Sequence, residues 1–312
     1  MAKKIKTSKP KESFEVVTSS ETFLASLRAM KPLVNSVKLM FDKDGLRIKE
    51  TNDGRYAVVN FFMRKSGFAE YKVPEKTVLK VRLDDFLTAM KRVYSGWGHL
   101  ARLTVDGKGH LVVEQVNERN KKREVKKRFV LPLYSIDEKE IDGDEIDKVE
   151  KEFEKRIDVE IPISKKDFKT GLKDIETLLG TGRRSYGYDT GGEVKIIAEK
   201  DFLILTTFNQ YQQVITQIPR YNTNPNKDLS VMAQNDFKVS AIYEWGSLTN
   251  MFDLGRNAFT DEFVLRIGNN NPLQLVLSNP DKITLKLTLA NREVNDLEHQ
   301  YIEPEREYPE DF

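Results

Sequence analysis

VKLMFDKDGLRI at 37–48 and VKIIAEKDFLIL at 194–205 are two versions of one stretch, aligned without a gap. Valine, lysine, the acid-lysine-aspartate turn and the closing apolar residues coincide. In the first copy Val37, Leu39 and Phe41 alternate, Lys43-Asp44-Gly45 reverses the chain, and Leu46 and Ile48 resume the alternation. A period of two around a Gly-containing turn predicts a β-hairpin. A hairpin that recurs 157 positions later, by subtraction of 37 from 194, predicts two similar domains.

Working outward, each hairpin follows a helical pattern. Ser19-Ser20-Glu21 offers an N-cap, and Phe23, Leu27, Met30 and Val34 then share one helix face up to and past Pro32. Before the second hairpin, SKKDFKTGLKDIETL turns Phe168, Leu172, Ile175 and Leu179 inward. After the first hairpin, 56–63 and 68–73 read as strands. A strand from Val78 feeds RLDDFLTAMKRV, whose Leu83, Phe86, Leu87 and Met90 line a second helix. Strands are expected at 100–105, 111–116 and 125–133. In the second half NDFKVSAIYEW takes the place of that second helix. EFVLRIGNNNPLQLVLSN then reads as a hairpin, and DKITLKLTLA and HQYIEP close the sheet.

Between the halves runs FVLPLYSIDEKEIDGDEIDKVEKEFEKRIDVEIPIS (129–164), apolar at first, then acidic, with a turn at Asp142-Gly143-Asp144 and a final alternation of Ile157, Val159, Ile161 and Ile163. It reads as a connector over the surface. Its centre also fits an amphipathic helix, because Ile146, Val149 and Phe153 have helical spacing. The resulting division is a basic disordered tail (1–13), an N-terminal domain (14–133), a connector (134–160), a C-terminal domain (161–304) and an acidic tail (305–312). The loop at 180–192, with Arg183 and Arg184, is longer than its counterpart and reads as an exposed insert.

The 312 residues suffice for two sizeable cores, and 39% hydrophobic content suits a soluble chain. MAKKIKTSKPKES lacks the apolar centre of a signal peptide, and no stretch approaches the roughly 20 apolar residues of a membrane span. An intracellular location is expected. The absence of cysteine excludes disulfides, thiolate metal sites and cysteine nucleophiles. His99, His110 and His299 are far apart without ligand spacing, so neither a metal site nor a catalytic triad is expected. Asp84-Asp85 sits where helix N-termini favour carboxylates. The glycine-rich loop near Arg183 lacks the Gly-Lys-Ser/Thr ending of a phosphate loop. No catalytic residue and no cofactor are expected.

Charge is the informative property: 51 basic and 49 acidic residues leave a net +2, so function depends on how they are sorted. Lys165, Lys169 and Lys173 fall four apart, opposite Phe168 and Leu172. Arg28 and Lys31 lie on the polar side of the first helix, Lys91 and Arg92 on that of the second, and Lys238 on the expected fourth, where Glu244 interrupts the pattern. A solvated helix face has the same composition. If nucleic acid binds here, it is held by its phosphates without base readout.

The order and spacing of LRIKETNDGRYAVVNFFM (46–63), SGFAEYKV (66–73), VRLDDFLTAMKRV (81–93), FVLPLYSID (129–137), NPLQLVL (271–277) and QYIEP (300–304) resemble the DNA sliding clamps of the proliferating cell nuclear antigen (PCNA) family. The resemblance spans nearly the whole chain after the N-terminal tail. It implies an α+β fold of two similar clamp-fold domains, each with antiparallel sheets outside and two helices on the inner face. Three such chains would form a ring around duplex DNA and tether DNA polymerase and other replication and repair proteins that carry a clamp-binding motif. A clamp loader would open that ring. Lys31, Lys91 and Lys173 match channel-facing basic positions of the family.

The family's peptide pocket maps to Thr51, Tyr56 and Val58, then Ile136 and Ile141, then Pro272, Tyr301 and Ile302. Thr51 and Glu303 depart from the residues usual there. Subunit contacts would join the strand near 125–130 to the one near 210–218. The resemblance places the protein with replicating DNA, in the nucleus of a eukaryotic host or in the cytoplasm or nucleoid of an archaeon or virus-infected cell. The alternative is a monomeric or dimeric viral processivity factor of the same fold, binding DNA on an open basic face. An enzyme acting on nucleic acid is the third reading, opposed by the lack of clustered ligands or nucleophiles.

Overall fold

A computed structural model describes residues 14–18, 21–52, 57–93, 99–117, 127–136, 143–179, 192–199, 202–208, 213–219, 238–252, 262–279 and 283–291, and among these three antiparallel sheets and five α-helices build the fold. The first hairpin is β2 (Ser36–Phe41) and β3 (Gly45–Thr51), and its copy is β11 (Glu193–Glu199) and β12 (Phe202–Phe208). Along β2 the burial alternates strictly, with Val37, Leu39 and Phe41 fully buried. Only glycine fits at position 45: its φ is +151°, and an added Cβ would sit 2.1 Å from the carbonyl oxygen of Met63. Asp42 completes the turn by accepting the backbone N–H groups of Asp44 and Gly45 at 2.8 and 3.1 Å.

The largest sheet has eight strands in the order β10-β15-β16-β17-β4-β3-β2-β6. Its second-half members are β10 (Val159–Ser164), β15 (Glu262–Ile267), β16 (Leu273–Asn279) and β17 (Ile283–Leu289). Its first-half members add β4 (Ala57–Arg64) and β6 (Thr77–Arg82) to the hairpin. The halves meet where β17 pairs with β4 along its whole length, from Ile283 opposite Met63 to Leu289 opposite Ala57. A five-stranded sheet lies on the first-half side, ordered β5 (Glu70–Lys72), β1 (Glu15–Thr18), β7 (His99–Val105), β8 (Leu111–Asn117), β9 (Arg128–Leu131). On the other side is a four-stranded sheet, ordered β13 (Gln213–Pro219), β12, β11, β14 (Lys238–Glu244).

Four helices cover one side of the sheets: α1 (Glu21–Met30), α2 (Leu83–Val93), α4 (Lys165–Leu179) and α5 (Trp245–Phe252). Their contacts place them in the row α2-α1-α5-α4. Phe23 of α1 and Phe86 of α2 have ring centroids 6.3 Å apart, and Phe23 also meets Phe61 of β4 at 5.8 Å. Phe168 of α4 packs edge-on against Phe263 of β15. Each such fully buried side chain contributes about 1.5–3 kcal/mol relative to exposure. Helix α4 approaches its sheet closely because Gly171 carries no side chain: a Cβ there would lie 2.9 Å from Ile218 of β13. Ser164, the last residue of β10, caps α4 by accepting the N–H of Asp167 at 3.5 Å.

Three expectations need correction. The segment expected as a fourth helix at NDFKVSAIYEW is a strand from Lys238, and the helix α5 begins only at Trp245. Val239, Ala241 and Tyr243 alternate inward, and Tyr243 donates its hydroxyl to the carbonyl of Asn271 at 2.8 Å, so a period of two prevails over the helical reading. The first helix stops at Met30, and Val34 is buried beyond it. Of the two readings for the connector's centre, the helix holds: α3 spans Gly143–Glu154. Unlike the other four helices, it lies against the outer side of the eight-stranded sheet, over β3. The two tails and the loop at 180–191 lie outside the described residues.

Candidate nucleic-acid interface

Helices α1 and α2 pack side by side, Phe23 against Phe86, with Leu27 and Met90 also buried. Arg28, Lys31, Lys91 and Arg92 are all exposed there. The Lys31 ammonium lies 2.8 Å from Asp84, a carboxylate in the first turn of α2. Partial burial, and then the cations Arg28 and Lys31, push the Lys91 pKa below its ordinary value, against the opposing pull of Asp84. Three cations on two helices therefore feel one another directly.

On α4, Lys165 and Lys169 are half-buried and Lys173 is exposed, while Phe168 and Leu172 point inward as expected. The next exposed cation, Lys166, escaped the four-residue spacing rule because it lies a quarter turn away. Lys127 also went unassigned. Its ammonium donates to the carbonyl oxygen of Arg92 at 3.0 Å, placing positive charge on the C-terminus of α2. The only hint in the sequence was the basic run before β9.

Helix α5 contributes no cation, since WGSLTNMF contains none. Lys238 does not compensate. It is exposed at the first residue of β14, paired with Glu199 across the sheet, six residues before the end of the strand that leads into α5. At about 3.3 Å per residue that is roughly 20 Å from the helix layer's entry point. Lys238 belongs to a strand and stands apart from the helical cations.

Of the residues expected to line a peptide pocket, Thr51, Val58, Ile136 and Pro272 are described. Thr51, half-buried, stands directly opposite Val58, buried, in the β3–β4 register. Thr288 follows Val58 and Gln274 follows Thr288 across β17 and β16, all on the face away from the helices. Pro272 is buried immediately before β16. Ile136 is 41% exposed, just past Tyr134, whose N–H donates to the carbonyl of Lys80 on β6. Tyr56, Ile141, Tyr301 and Ile302 lie outside the described residues.

The strands expected at the subunit contacts, β9 and β13, are each the last strand of their sheet, with Val130 50% and Ile215 42% exposed. Among the described residues no three His, Asp or Glu side chains converge to hold a metal ion, and no helix is long and apolar enough to cross a membrane. His110 instead meets Asp106 at 3.0 Å in the β7–β8 turn.

Residues 15–140 match the family described as "Proliferating cell nuclear antigen, N-terminal domain". The first part of the chain thus resembles the N-terminal domain of PCNA. Over 281 residues it is 23% identical to "DNA polymerase sliding clamp 1" of Thermococcus kodakarensis, covering 89% of this chain and 98% of that one. The PCNA fold extends beyond the N-terminal domain. A PCNA crystal structure from Thermococcus kodakaraensis superposes with a TM-score of 0.66 at 16% identity, over 89% of this chain and all of that one. The PCNA2–PCNA3 complex of Sulfolobus tokodaii gives 0.65 at 17% identity, over 90% and 99%. The fold is thus the α+β clamp fold of PCNA, sheets on one side and helices on the other.

Proposed function

We propose that this chain is a DNA polymerase processivity factor, a sliding clamp that closes around duplex DNA and tethers polymerase and other replication and repair proteins. What supports the reading is the row of helices α2-α1-α5-α4 backed by sheets, with Arg28, Lys31, Lys91 and Arg92 exposed beside one another at α1 and α2 and with Lys165, Lys169 and Lys173 on α4 as the proposed continuation of that lining. Cations arranged this way hold phosphates at any sequence, and the contacts exchange as the duplex moves. Enclosure supplies the persistence, so weak contacts suffice. Lys238 forms no part of the lining.

Assembly uses the open edges of β9 and β13. Two different edges on one chain make head-to-tail contacts, which close into a ring when the rotation per chain permits; three identical chains are proposed. The row Thr51, Val58 and Pro272, completed by Tyr56, Ile136, Ile141, Tyr301 and Ile302, receives the anchors of a partner peptide. The protein acts as a scaffold without catalytic chemistry, located with replicating DNA and loaded by a separate opener.

The test is polymerase stimulation on primed circular templates against linear templates with free ends. Encirclement gives stimulation that is lost from free ends. Equal stimulation on both, from a chain that scatters light as a persistent 36.1 kDa monomer, replaces the ring with the open-face reading.

A further inference from the structure

Helix α3 crosses the place where the halves meet. Its Asp147, Glu150 and Glu154 fall on one face and reach four strands of the eight-stranded sheet: Asp147 pairs with Lys49 of β3, and Glu150 accepts from Asn60 of β4. Glu150 and Glu154 share Lys286 of β17 at 2.9 and 2.8 Å, and Glu154 lies 3.7 Å from Arg266 of β15. Lys49, Asn60 and Lys286 are direct cross-strand neighbours, so the sheet presents them as one row beneath the helix. Burial alone would lower the Lys286 pKa, but Glu150 and Glu154 reverse this and hold it above its ordinary value. The opposite side of α3, with Lys148, Lys151 and Glu152, is exposed. Ile146 is its buried apolar anchor among the side chains described.

The described polar contacts of α3 with the sheet are between charged or charge-bearing groups, and at its half-exposed Asp147 and Glu154 these contacts are open to screening and competing ions. Two residues along the same strands, on the same outer face, lies the row Thr51–Val58–Thr288, with Val58 4% and Thr288 3% exposed. We propose that α3 is an electrostatic strap across the junction of the two halves. It lifts when its acidic side chains are screened or displaced, and lifting uncovers the neighbouring row. The importance of that row for partner peptides rests on the clamp reading; the strap itself does not.

The chain contains no cysteine, so Val58→Cys introduces a single reporter thiol, read by its rate of reaction with dithiobis(nitrobenzoate) in the full chain without DNA or partner. Lys286→Glu in that background should speed labelling about tenfold, while amides of α3 exchange faster and those of β4 and β17 stay protected. Adding Glu150→Lys to Lys286→Glu should restore slow labelling. Raising salt from about 50 to about 500 mM should reproduce the effect of Lys286→Glu. The salt series on the Val58→Cys chain decides the matter if Lys286→Glu does not fold. Labelling that ignores salt and Lys286→Glu, or that accelerates only together with loss of β4 and β17 protection, overturns the proposal. Because polymerase takes no part, failure of the strap and failure of the clamp reading are separately visible.

Discussion

Replacing Arg28, Lys31 and Lys91 together by alanine tests the proposed interface most directly. All three are exposed, so the fold should survive: surface substitutions usually stay within about 0.5 kcal/mol, and the half-exposed Lys31–Asp84 pair contributes about 0–1 kcal/mol. DNA binding should respond far more. Each phosphate contact releases counterions worth about 0.9 in the slope of log K against log salt, so three cations correspond to about 2.7 per chain. Lys31 shares its charge with Asp84, which sets a floor of two cations and about 1.8. Between about 50 and 200 mM salt, the parent should lose about 10- to 40-fold more affinity than the variant. Fluorescence anisotropy with a short linear duplex, titrated across that range, measures both slopes. Asp84→Asn should shift the slope the other way, because it frees Lys31. An unchanged slope in a triple variant with the parent's circular dichroism and melting curve would refute the placement of DNA on this helix layer.

Other perturbations address the scaffold. Gly45→Ala forces a Cβ against the Met63 carbonyl in a backbone conformation that L-residues avoid, and should cost about 1–3 kcal/mol in urea unfolding. Gly171→Leu overpacks the contact of α4 with Ile218 and Leu205 and should lower stability by about 1–3 kcal/mol. It should also change the oligomeric state seen in sedimentation, because β13 is the sheet edge it displaces. Asp106 is held at a pKa of about 2, first by the backbone N–H of His110 and then by its imidazole. A depressed carboxylate stabilises above its ordinary 3.8 and loses that contribution as pH falls toward 2. Amide exchange in the β7–β8 turn should accelerate over that window, and Asp106→Asn should flatten the dependence.

The hairpin at 37–48 and its copy were legible because alternation, a turn and a repeat agreed. Arg28, Lys91 and Lys173 could be placed on the exposed sides of their helices by helical spacing, whereas the pairing of Lys31 with Asp84 of α2 exists only once α1 and α2 pack together. Lys238 could not. NDF followed by apolar residues imitates DDFLTAMKRV, but Val239, Ile242 and Tyr243 are β-branched or aromatic and suit a strand. The strap was half legible. Helical spacing marked α3, whereas the partners of its acidic face come from strands as far away as Lys286, 132 residues beyond Glu154. Charge complementarity across that separation exists only once the sheet is assembled.

The pairing of β17 with β4 has a mechanical consequence. Seven consecutive residue pairs tie the two halves into a single hydrogen-bonded beam, and bending it would break backbone bonds in series. A load applied at one end is transmitted to the other without a joint in between. In the proposed ring, a gap wide enough to admit a duplex would therefore open between neighbouring molecules, at the edges of β9 and β13, while each chain keeps its shape.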